Sequence, residues 1–376
     1  MHEGFEADLR GLAGRGRLRT LCERAGIDFT SNDYLGLAES EELKRAAADA
    51  VARGVPAGSG GSRLLRGNHP EHEALESEAA AYFGAETALY FGGGYVANFA
   101  IFSTLPQHGD LVVHDELIHA SVHEGLRRGR ADFVAVPHNN VDAFEAAIVR
   151  WRATGGKGRP WLAIESLYSM DGDSPNLAEL FTVADRHEAM VVIDEAHATG
   201  VLGPQGRGLS APFEGRDNVI TLHTCGKALG TAGGFILAPR IIRDFLVNRA
   251  RPFIFATAPS PLIAAITRVA LEISRTNPER RDRLARLVQF AGSELRRRCN
   301  IEASGSHILP IIIGADQAAV AVAASLQRRG FDVRAIRPPT VAEGTARLRI
   351  ALTVNVDAVI VADLFEALAE EMRKAA

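Results

Sequence analysis

Short apolar runs alternate with segments of helical pattern from about residue 75 to residue 238. The runs are TALYF, DLVVHD, DFVAVP, WLAIES, MVVIDEA, VITLHT and GGFILAP. Helix-like sequence such as VDAFEAAIVRW or LAELFTVADRH follows several of them. Strands that alternate with helices predict an α/β fold with a mostly parallel, doubly wound sheet. Because the runs are largely apolar throughout, we expect helices to cover both faces of this sheet.

The remaining sequence predicts a second, smaller domain. Helical pattern dominates residues 260–299, and the C-terminal part mixes the apolar runs ILPIIIG and RLRIALT with two further helices. We therefore predict an N-terminal segment (1–40), a large domain (41–265) and a smaller C-terminal α/β domain (266–376). A chain of 376 residues is long enough for this organisation.

Composition argues against several classes of protein. The net charge is −4, and the arginine-rich run 127–130 is too short to form a nucleic-acid-binding patch. No apolar stretch approaches the roughly 18 residues of a membrane span, and the N-terminal sequence does not resemble a secretory signal. Cys22, Cys225 and Cys299 lack CxxC spacing, so we expect neither disulfides nor a metal site. These features predict a cytoplasmic protein that binds neither nucleic acid nor membrane.

A lysine follows the predicted strand VITLHT and lies among glycines. Lysine avoids burial, so Lys227 at the end of a buried strand is unusual. Its amine can form a Schiff base with an aldehyde cofactor and later act as a general base. A solvated loop lysine is the plainer alternative, which this motif alone does not exclude.

Other polar groups follow strands of the same sheet, where ligands bind in open α/β folds. Asp194 could keep a pyridine nitrogen protonated and His197 could bond a ring oxygen. The alternatives are a metal site, for which the HExxH spacing is absent, or a structural cap. The glycines at 92–94 could admit a phosphate to a helix N-terminus, or could serve only the turn. His119 could stack on a planar ring, or lie on the surface.

In their order along the chain, these motifs resemble one family, the α-oxoamine synthases. These are pyridoxal 5'-phosphate (PLP) enzymes with the type I, aspartate-aminotransferase-like fold. The resemblance covers nearly the whole chain, through SNDYLGL (31–37), GSGGSRLLRGNHPEHEALE (58–76), SMDGD (169–173), DEAHATG (194–200), TCGK (224–227) and PPTVAEGTARLRI (338–350). The chain departs from the family in LCERAGIDFT, where members usually have a longer segment, often a small β-hairpin.

The resemblance implies roles for individual residues. Lys227 would be the Schiff-base lysine, with Asp194 and His119 as the other catalytic residues. The implied cofactor contacts are Gly94, Tyr95, His119, Ser169, Asp194, His197, Thr224, Lys227 and Thr257. Thr257 would be donated across the interface of a homodimer. The implied substrate contacts are Asn32, Thr340, Arg349 and one N-terminal arginine, either Arg17 or Arg19.

The resemblance also implies a reaction. Family members condense an amino acid with an acyl thioester and release CO₂. The string PPTVAEGTARLRI is most similar to the member that acts in biotin synthesis. This similarity implies L-alanine and a pimeloyl thioester, either pimeloyl-CoA or a pimeloyl carrier protein, as substrates. The alternatives are glycine with a different acyl-CoA, transamination on the same fold, or a catalytically silent protein of this fold.

Overall fold

The computed structural model describes residues 2–375. Its helices are α1 (Glu3–Gly14), α2 (Glu41–Ala52), α3 (Pro70–Phe83), α4 (Gly94–Thr104), α5 (Ala120–Arg128), α6 (Val141–Ala153), α7 (Leu177–Arg186), α8 (Arg240–Arg249), α9 (Arg251–Ile254), α10 (Pro261–Thr276), α11 (Glu279–Cys299), α12 (Asp316–Arg328) and α13 (Ala358–Ala375). Its strands are β1 (Ile27–Asp28), β2 (Thr87–Phe91), β3 (Leu111–Asp115), β4 (Asp132–Val136), β5 (Pro160–Glu165), β6 (Met190–Asp194), β7 (Val219–Thr224), β8 (Gly234–Ala238), β9 (Ile308–Gly314), β10 (Phe331–Asp332), β11 (Ala335–Ile336) and β12 (Ala346–Ala351). None of the helices within residues 2–375 is both long and apolar enough to cross a lipid bilayer.

Contacts between Cα atoms group the chain into two compact units. The larger unit comprises Leu35–Tyr168 and Ser174–Arg281. The smaller unit comprises the described residues up to Tyr34, the short segment Ser169–Asp173 and the described residues from Asp282 onward. The three domains inferred from the sequence, with their boundaries near residues 40 and 265, stay a prediction.

The larger unit is built on a seven-stranded sheet with the strand order β2-β8-β7-β6-β5-β3-β4. Neighbouring strands pair in parallel, except that β8 runs antiparallel to both β2 and β7. Helices connect most of the parallel strands. This topology confirms the predicted α/β fold with a mostly parallel sheet.

Both faces of the central strands are buried. Along β3, Val112 packs into one hydrophobic cluster and Val113 into the other. Along β6, Val192 and Ile193 divide between the same two clusters. Because successive side chains of a strand point to opposite faces, two covered faces require an unbroken apolar run. The continuous runs in the sequence are therefore a direct consequence of burial on both sides.

Strand β4 differs from this expectation. It lies at the edge of the sheet and pairs with β3 alone. Its residues from Asp132 to Ala135 are exposed, and only Val136 is buried. The expectation that helices cover both faces of the sheet was wrong for this strand, because the packing that buries the central strands does not extend over the edge of the sheet.

The smaller unit contains a three-stranded antiparallel sheet with the order β11-β12-β9. The central strand β12 is buried over its whole length, and α12 contacts both this strand and α13. Strand β1, from the N-terminal part of the chain, pairs in parallel with β10.

The loop between β7 and β8 requires a glycine at its end. Gly233 has a φ of +108°, and a Cβ added there would lie 2.3 Å from a ring carbon of Tyr90. The Tyr90 hydroxyl donates to Ala232 O at 2.6 Å, which holds the ring in place. We expect Gly233→Ala to lower the free energy of unfolding by about 1–3 kcal/mol or more, measured by urea denaturation.

Gly226→Ala in the same loop is the matched control, because the nearest atom to an added Cβ is 3.8 Å away. This variant should unfold close to the wild-type urea concentration. Equal losses of stability in the two variants would contradict the proposed strain at Gly233.

Candidate active site

Several predicted cofactor residues follow the carboxyl ends of parallel strands in the larger unit. Asp194 is the last residue of β6, and Lys227 lies in the loop that follows β7. Gly94 begins α4 after β2, and His119 precedes α5 after β3. Open α/β sheets bind ligands at this edge, in the crevice outside the carboxyl ends of the strands where the strand order reverses.

These residues line one cavity. The lining residues are Gly94, Tyr95, Asn98, His119, Glu165, Asp194, Ala196, His197, Leu222, Thr224 and Lys227. Of the cofactor residues inferred from the sequence, only Ser169 and Thr257 lie outside this set. Asn98 and Glu165 are additions that the sequence did not indicate, since a single polar residue inside a helix or at a strand end carries no recognisable pattern.

The Lys227 amine has a defined position in the cavity. Its Nζ lies 2.6 Å from Nε2 of His197. The loop around Lys227 is closed by hydrogen bonds from Cys225 N to Gly233 O and from Thr231 N to Cys225 O, both 2.9 Å. The cavity therefore contains a fixed primary amine, the group that an aldehyde cofactor needs for covalent attachment.

Asp194 supplies a buried carboxylate to the same cavity, with a relative exposure of 6%. Its Oδ2 accepts from Asn98 Nδ2 at 2.6 Å, and its Oδ1 accepts from Ala196 N at 2.9 Å. A buried carboxylate is stable only with donors or a cation nearby. These bonds orient Asp194 at the wall of a cavity where a ligand N–H could be an additional donor.

His119 caps α5 and also lines the cavity. Its Nδ1 accepts from Ser121 N at 3.3 Å and lies 2.7 Å from Ser121 Oγ. Burial lowers the pKa of His119 below its ordinary value. A lowered pKa favours the neutral form of the ring, which suits a side chain that stacks on an aromatic ligand.

The N-terminus of α4 completes the cavity. Its N-cap, Gly93, has no side chain to bond the first amides of the helix. A Cβ at Gly94 would lie 3.5 Å from Thr224 Oγ1, so the hydroxyl is next to this turn. Helix N-termini with free amides attract phosphate groups.

This donor set fits PLP. The amine of Lys227 can bond to the aldehyde carbon of PLP, and the carboxylate of Asp194 can accept from its pyridine nitrogen. The imidazole of His119 can stack on the ring, and the N-terminus of α4 can bind the phosphate. Within the part of the chain that the structure describes, no group of three or more His, Cys, Asp or Glu side chains is arranged to hold a metal ion.

A second group of predicted residues lies together in the smaller unit. Arg349, in β12, is 7% exposed. Its Nε donates to Ser169 O at 2.6 Å, and its Nη2 donates to Asn32 Oδ1 at 3.0 Å. Asn32 Oδ1 also accepts from the Tyr34 hydroxyl at 2.8 Å. The structure records no hydrogen bond from Arg349 Nη1 to any residue between 2 and 375, so this nitrogen can bind a carboxylate.

The structure distinguishes the two N-terminal arginines. Arg17 donates from Nε to Asp316 Oδ2 at 2.5 Å and also pairs with Glu343. Hydrogen bonds to Glu343 and then to Asp316 raise the pKa of Arg17. Arg19 instead donates to Thr340 Oγ1 at 3.4 Å, next to another predicted substrate residue. Arg17 is therefore engaged in ion pairs within its own unit, whereas Arg19 accompanies Thr340.

Thr257 lies away from the cavity lining and is exposed. Ser169 belongs to the smaller unit, where its carbonyl oxygen accepts from Arg349. Their proposed contacts with the cofactor stay predictions.

Comparison with known protein families gives one match over most of the chain. Residues 24–368 match the model for the aminotransferase class I and II family. An 8-amino-7-oxononanoate synthase from Anaeromyxobacter dehalogenans is 43% identical over 348 residues, which cover 92% of this chain and 86% of the relative. An enzyme of the same name from Chromobacterium violaceum is 41% identical over 334 residues, covering 88% and 85% of the two chains.

Solved structures of related enzymes have the same fold. A variant of serine palmitoyltransferase from S. paucimobilis, with a bound PLP–myriocin aldimine, superposes with a TM-score of 0.90 at 26% identity, and the match covers 99% of this chain and 98% of that chain. An 8-amino-7-oxononanoate synthase from Francisella tularensis superposes with a TM-score of 0.77 at 26% identity, covering 93% and 98%. These likenesses agree with the type I fold expected from the sequence motifs.

The cysteine next to the cavity is protected. Cys225 has a relative exposure of 0%, and burial raises the pKa of its thiol. Cys22 is exposed, and its hydrogen bond with Thr20 lowers the pKa of its thiol. Because the thiolate is the reactive form, a maleimide should label Cys22 in the native protein and leave Cys225 unlabelled, as read by peptide mass spectrometry.

In Cys22→Ser, the labelling at position 22 should disappear, and Cys225 should react only after denaturation. Native labelling of Cys225 at a rate similar to that of Cys22 would contradict the closed packing of this loop.

Proposed function

We propose a decarboxylating condensation for this chain, which belongs to the class I and II aminotransferase family and uses PLP as its cofactor. It is an acyltransferase of the 8-amino-7-oxononanoate synthase type, and it acts in biotin biosynthesis. The α-carbon of L-alanine forms a bond to the thioester carbon of pimeloyl-CoA, and the C–S bond breaks to release CoA. The alanine carboxyl group then leaves as CO₂, which gives 8-amino-7-oxononanoate.

The observation that carries this proposal is the arrangement of Lys227, His197 and Asp194 around one cavity. When bound, PLP supplies an electron sink for negative charge at the α-carbon of the amino acid. We propose that Lys227 Nζ holds the cofactor and that Asp194 holds a proton on its pyridine nitrogen. His197 would contact the ring hydroxyl, because Nε2 lies beside the amine that marks the aldehyde position.

The remaining cofactor residues have positioning roles in this proposal. In its neutral form, His119 would stack on the ring without adding a second positive charge. The amides of Gly94 and Tyr95 at the start of α4, with the Thr224 hydroxyl, would bind the phosphate. Ser169 is proposed as a further contact.

We propose that Lys227 also acts as the base. With the amino acid bound in the cavity, Nζ would be placed to remove the proton from the α-carbon. The same nitrogen can return a proton to that carbon after CO₂ has left. His197, 2.6 Å away, would keep the amine directed into the cavity during both steps.

We propose that Arg349 binds the carboxylate of the amino acid, with Asn32 as a second polar contact. Because hydrogen bonds from Nε and Nη2 already fix the guanidinium, Nη1 can bind the substrate carboxylate with little further loss of side-chain entropy. Thr340 and an N-terminal arginine would face the acyl substrate. Of the two candidates, Arg19 suits this role better than Arg17, whose guanidinium already binds two carboxylates.

The proposal is tested by thiol release from pimeloyl-CoA. Purified, PLP-loaded protein should release CoA with L-alanine and much less with glycine or L-serine. L-Serine with palmitoyl-CoA is included because serine palmitoyltransferase has a TM-score of 0.90 to this chain. Lys227→Ala should reduce the rate by more than the roughly 10²–10⁴-fold contribution of a general base alone, since covalent attachment is lost as well.

CoA release that depends on glycine or L-serine instead of L-alanine would contradict L-alanine as the substrate and indicate another reaction of the same enzyme family. Normal release by Lys227→Ala would contradict the role of this lysine.

We further propose that the protein is a cytoplasmic homodimer with active sites at the subunit interface. The loop that contains Thr257 is held by hydrogen bonds from Ala258 N to Gly61 O and from Ser59 Oγ to Pro259 O. Large apolar side chains on these two loops are exposed, with Leu65 at 84% and Phe255 at 69%. Exposed apolar residues around a rigid loop favour association with a second copy. The three free cysteines suit a reducing compartment.

Mixing of two inactive variants tests the shared site. Lys227→Ala lacks the attachment amine, and Thr257→Glu would repel a phosphate in the neighbouring subunit. A mixed dimer contains one site with both native residues, so random mixing should restore about a quarter of wild-type activity. Mixed dimers that form without any recovery of thiol release would contradict the donation of Thr257 across the interface.

A further inference from the structure

Asn98 connects two of the proposed catalytic residues. It lies on α4 with a relative exposure of 2%. Its Nδ2 donates to Asp194 Oδ2 at 2.6 Å and to Ser121 Oγ at 3.0 Å. A side-chain amide has two N–H groups, so both are used in these bonds.

Ser121 extends the connection to His119. The Ser121 backbone N–H donates to His119 Nδ1 at 3.3 Å, which makes this nitrogen an acceptor. The Ser121 hydroxyl, 2.7 Å from the same nitrogen, therefore directs its own proton to it, while its oxygen accepts from Asn98. His119 Nδ1 therefore faces donors only and cannot carry a proton itself. The hydrogen-bond pattern assigns the neutral tautomer of His119 with its proton on Nε2.

We propose that Asn98 and Ser121 are positioning residues that orient the Asp194 carboxylate and hold His119 in the neutral Nε2–H form. This inference rests on the proposed function, in which Asp194 keeps the pyridine ring of PLP protonated. A cationic His119 beside that ring would place two positive charges in one buried cavity, which is unfavourable at low dielectric. The network prevents this by filling Nδ1 with donors.

Packing alone does not explain an amide at this position. Asn98 Oδ1 is buried and has no hydrogen-bond partner among residues 2–375. A buried acceptor without a donor is destabilising, so an apolar side chain of similar size would suit a purely structural role better. The two donor groups of Asn98 are the part of the side chain that has a function here.

Two other titratable groups, Asp194 and Lys227, act on the electrostatics of His119, and His119 in turn lowers the pKa of His123. Asp194 favours the imidazolium form, and Lys227 opposes it. The contribution of Asn98 and Ser121 is therefore measured best by changing these neutral residues, because the surrounding charges then stay the same.

The test is ¹⁵N NMR of the His119 ring in the PLP-loaded enzyme, with the signal assigned by its loss in His119→Gln. The wild-type ring should remain the neutral Nε2–H tautomer from about pH 8 down to about pH 6. In Asn98→Ala and Ser121→Ala, the other tautomer or the cation should appear within this range. Ser121→Thr keeps the hydroxyl and should retain the wild-type signal.

Kinetics provide the second measurement. Asn98→Ala should lower kcat by about 10- to 100-fold with a smaller change in the KM for L-alanine, similar to the loss when a group that orients a metal-binding histidine is removed. Asn248→Ala is the matched control, since this exposed side chain of α8 donates to Asp244 O on the same helix. It should leave both the ring signal and kcat unchanged.

Wild-type ring signals in both Asn98→Ala and Ser121→Ala would overturn the proposal, as would a changed signal with an unchanged kcat. If Asn98→Ala does not fold, the comparison of Ser121→Ala with Ser121→Thr decides. Failure of the proposed function is recognised separately, because it would appear as absent L-alanine-dependent thiol release by the wild-type enzyme.

Discussion

The parallel pairing of β5, β6 and β7 is the constraint on which the site depends. Their register places Glu165 opposite Asp194 and Asp194 opposite Leu222. A slip of one residue would turn the Asp194 side chain to the other face of the sheet, where a hydrophobic cluster is packed. The loop that contains Lys227 begins where β7 ends, so the same pairing also fixes the amine beside His197.

Burial gives the polar groups of the cavity their chemical properties. A carboxylate, an imidazole and an amine share a region from which most water is excluded, so each needs a defined partner. Asn98 and Ser121 meet part of this need without adding charge. In the smaller unit, neutral partners also orient Arg349. A backbone carbonyl and Asn32 accept hydrogen bonds from its guanidinium without neutralising its charge.

The sequence predicted the sheet because two buried faces leave continuous apolar runs, and it predicted Lys227, Asp194, His119 and His197 because they follow those runs within family motifs. It was wrong about β4, because the run DFVAVP contains no information on whether a neighbouring strand exists. It left Arg17 and Arg19 open, because only the folded chain shows the ion pairs of Arg17. Asn98 and Ser121 stayed unnoticed because each is one polar residue within a helical pattern.

Borohydride reduction followed by peptide mass spectrometry tests whether Lys227 holds PLP covalently. Reduction fixes the cofactor to the lysine that carries it, and Lys44, Lys157 and Lys374 in the same digest are internal controls. We expect a mass increase of one reduced cofactor on the peptide that contains Lys227 and none on the peptides that contain the other three lysines. Modification of a different lysine, or no modification of protein that has bound PLP, would contradict it.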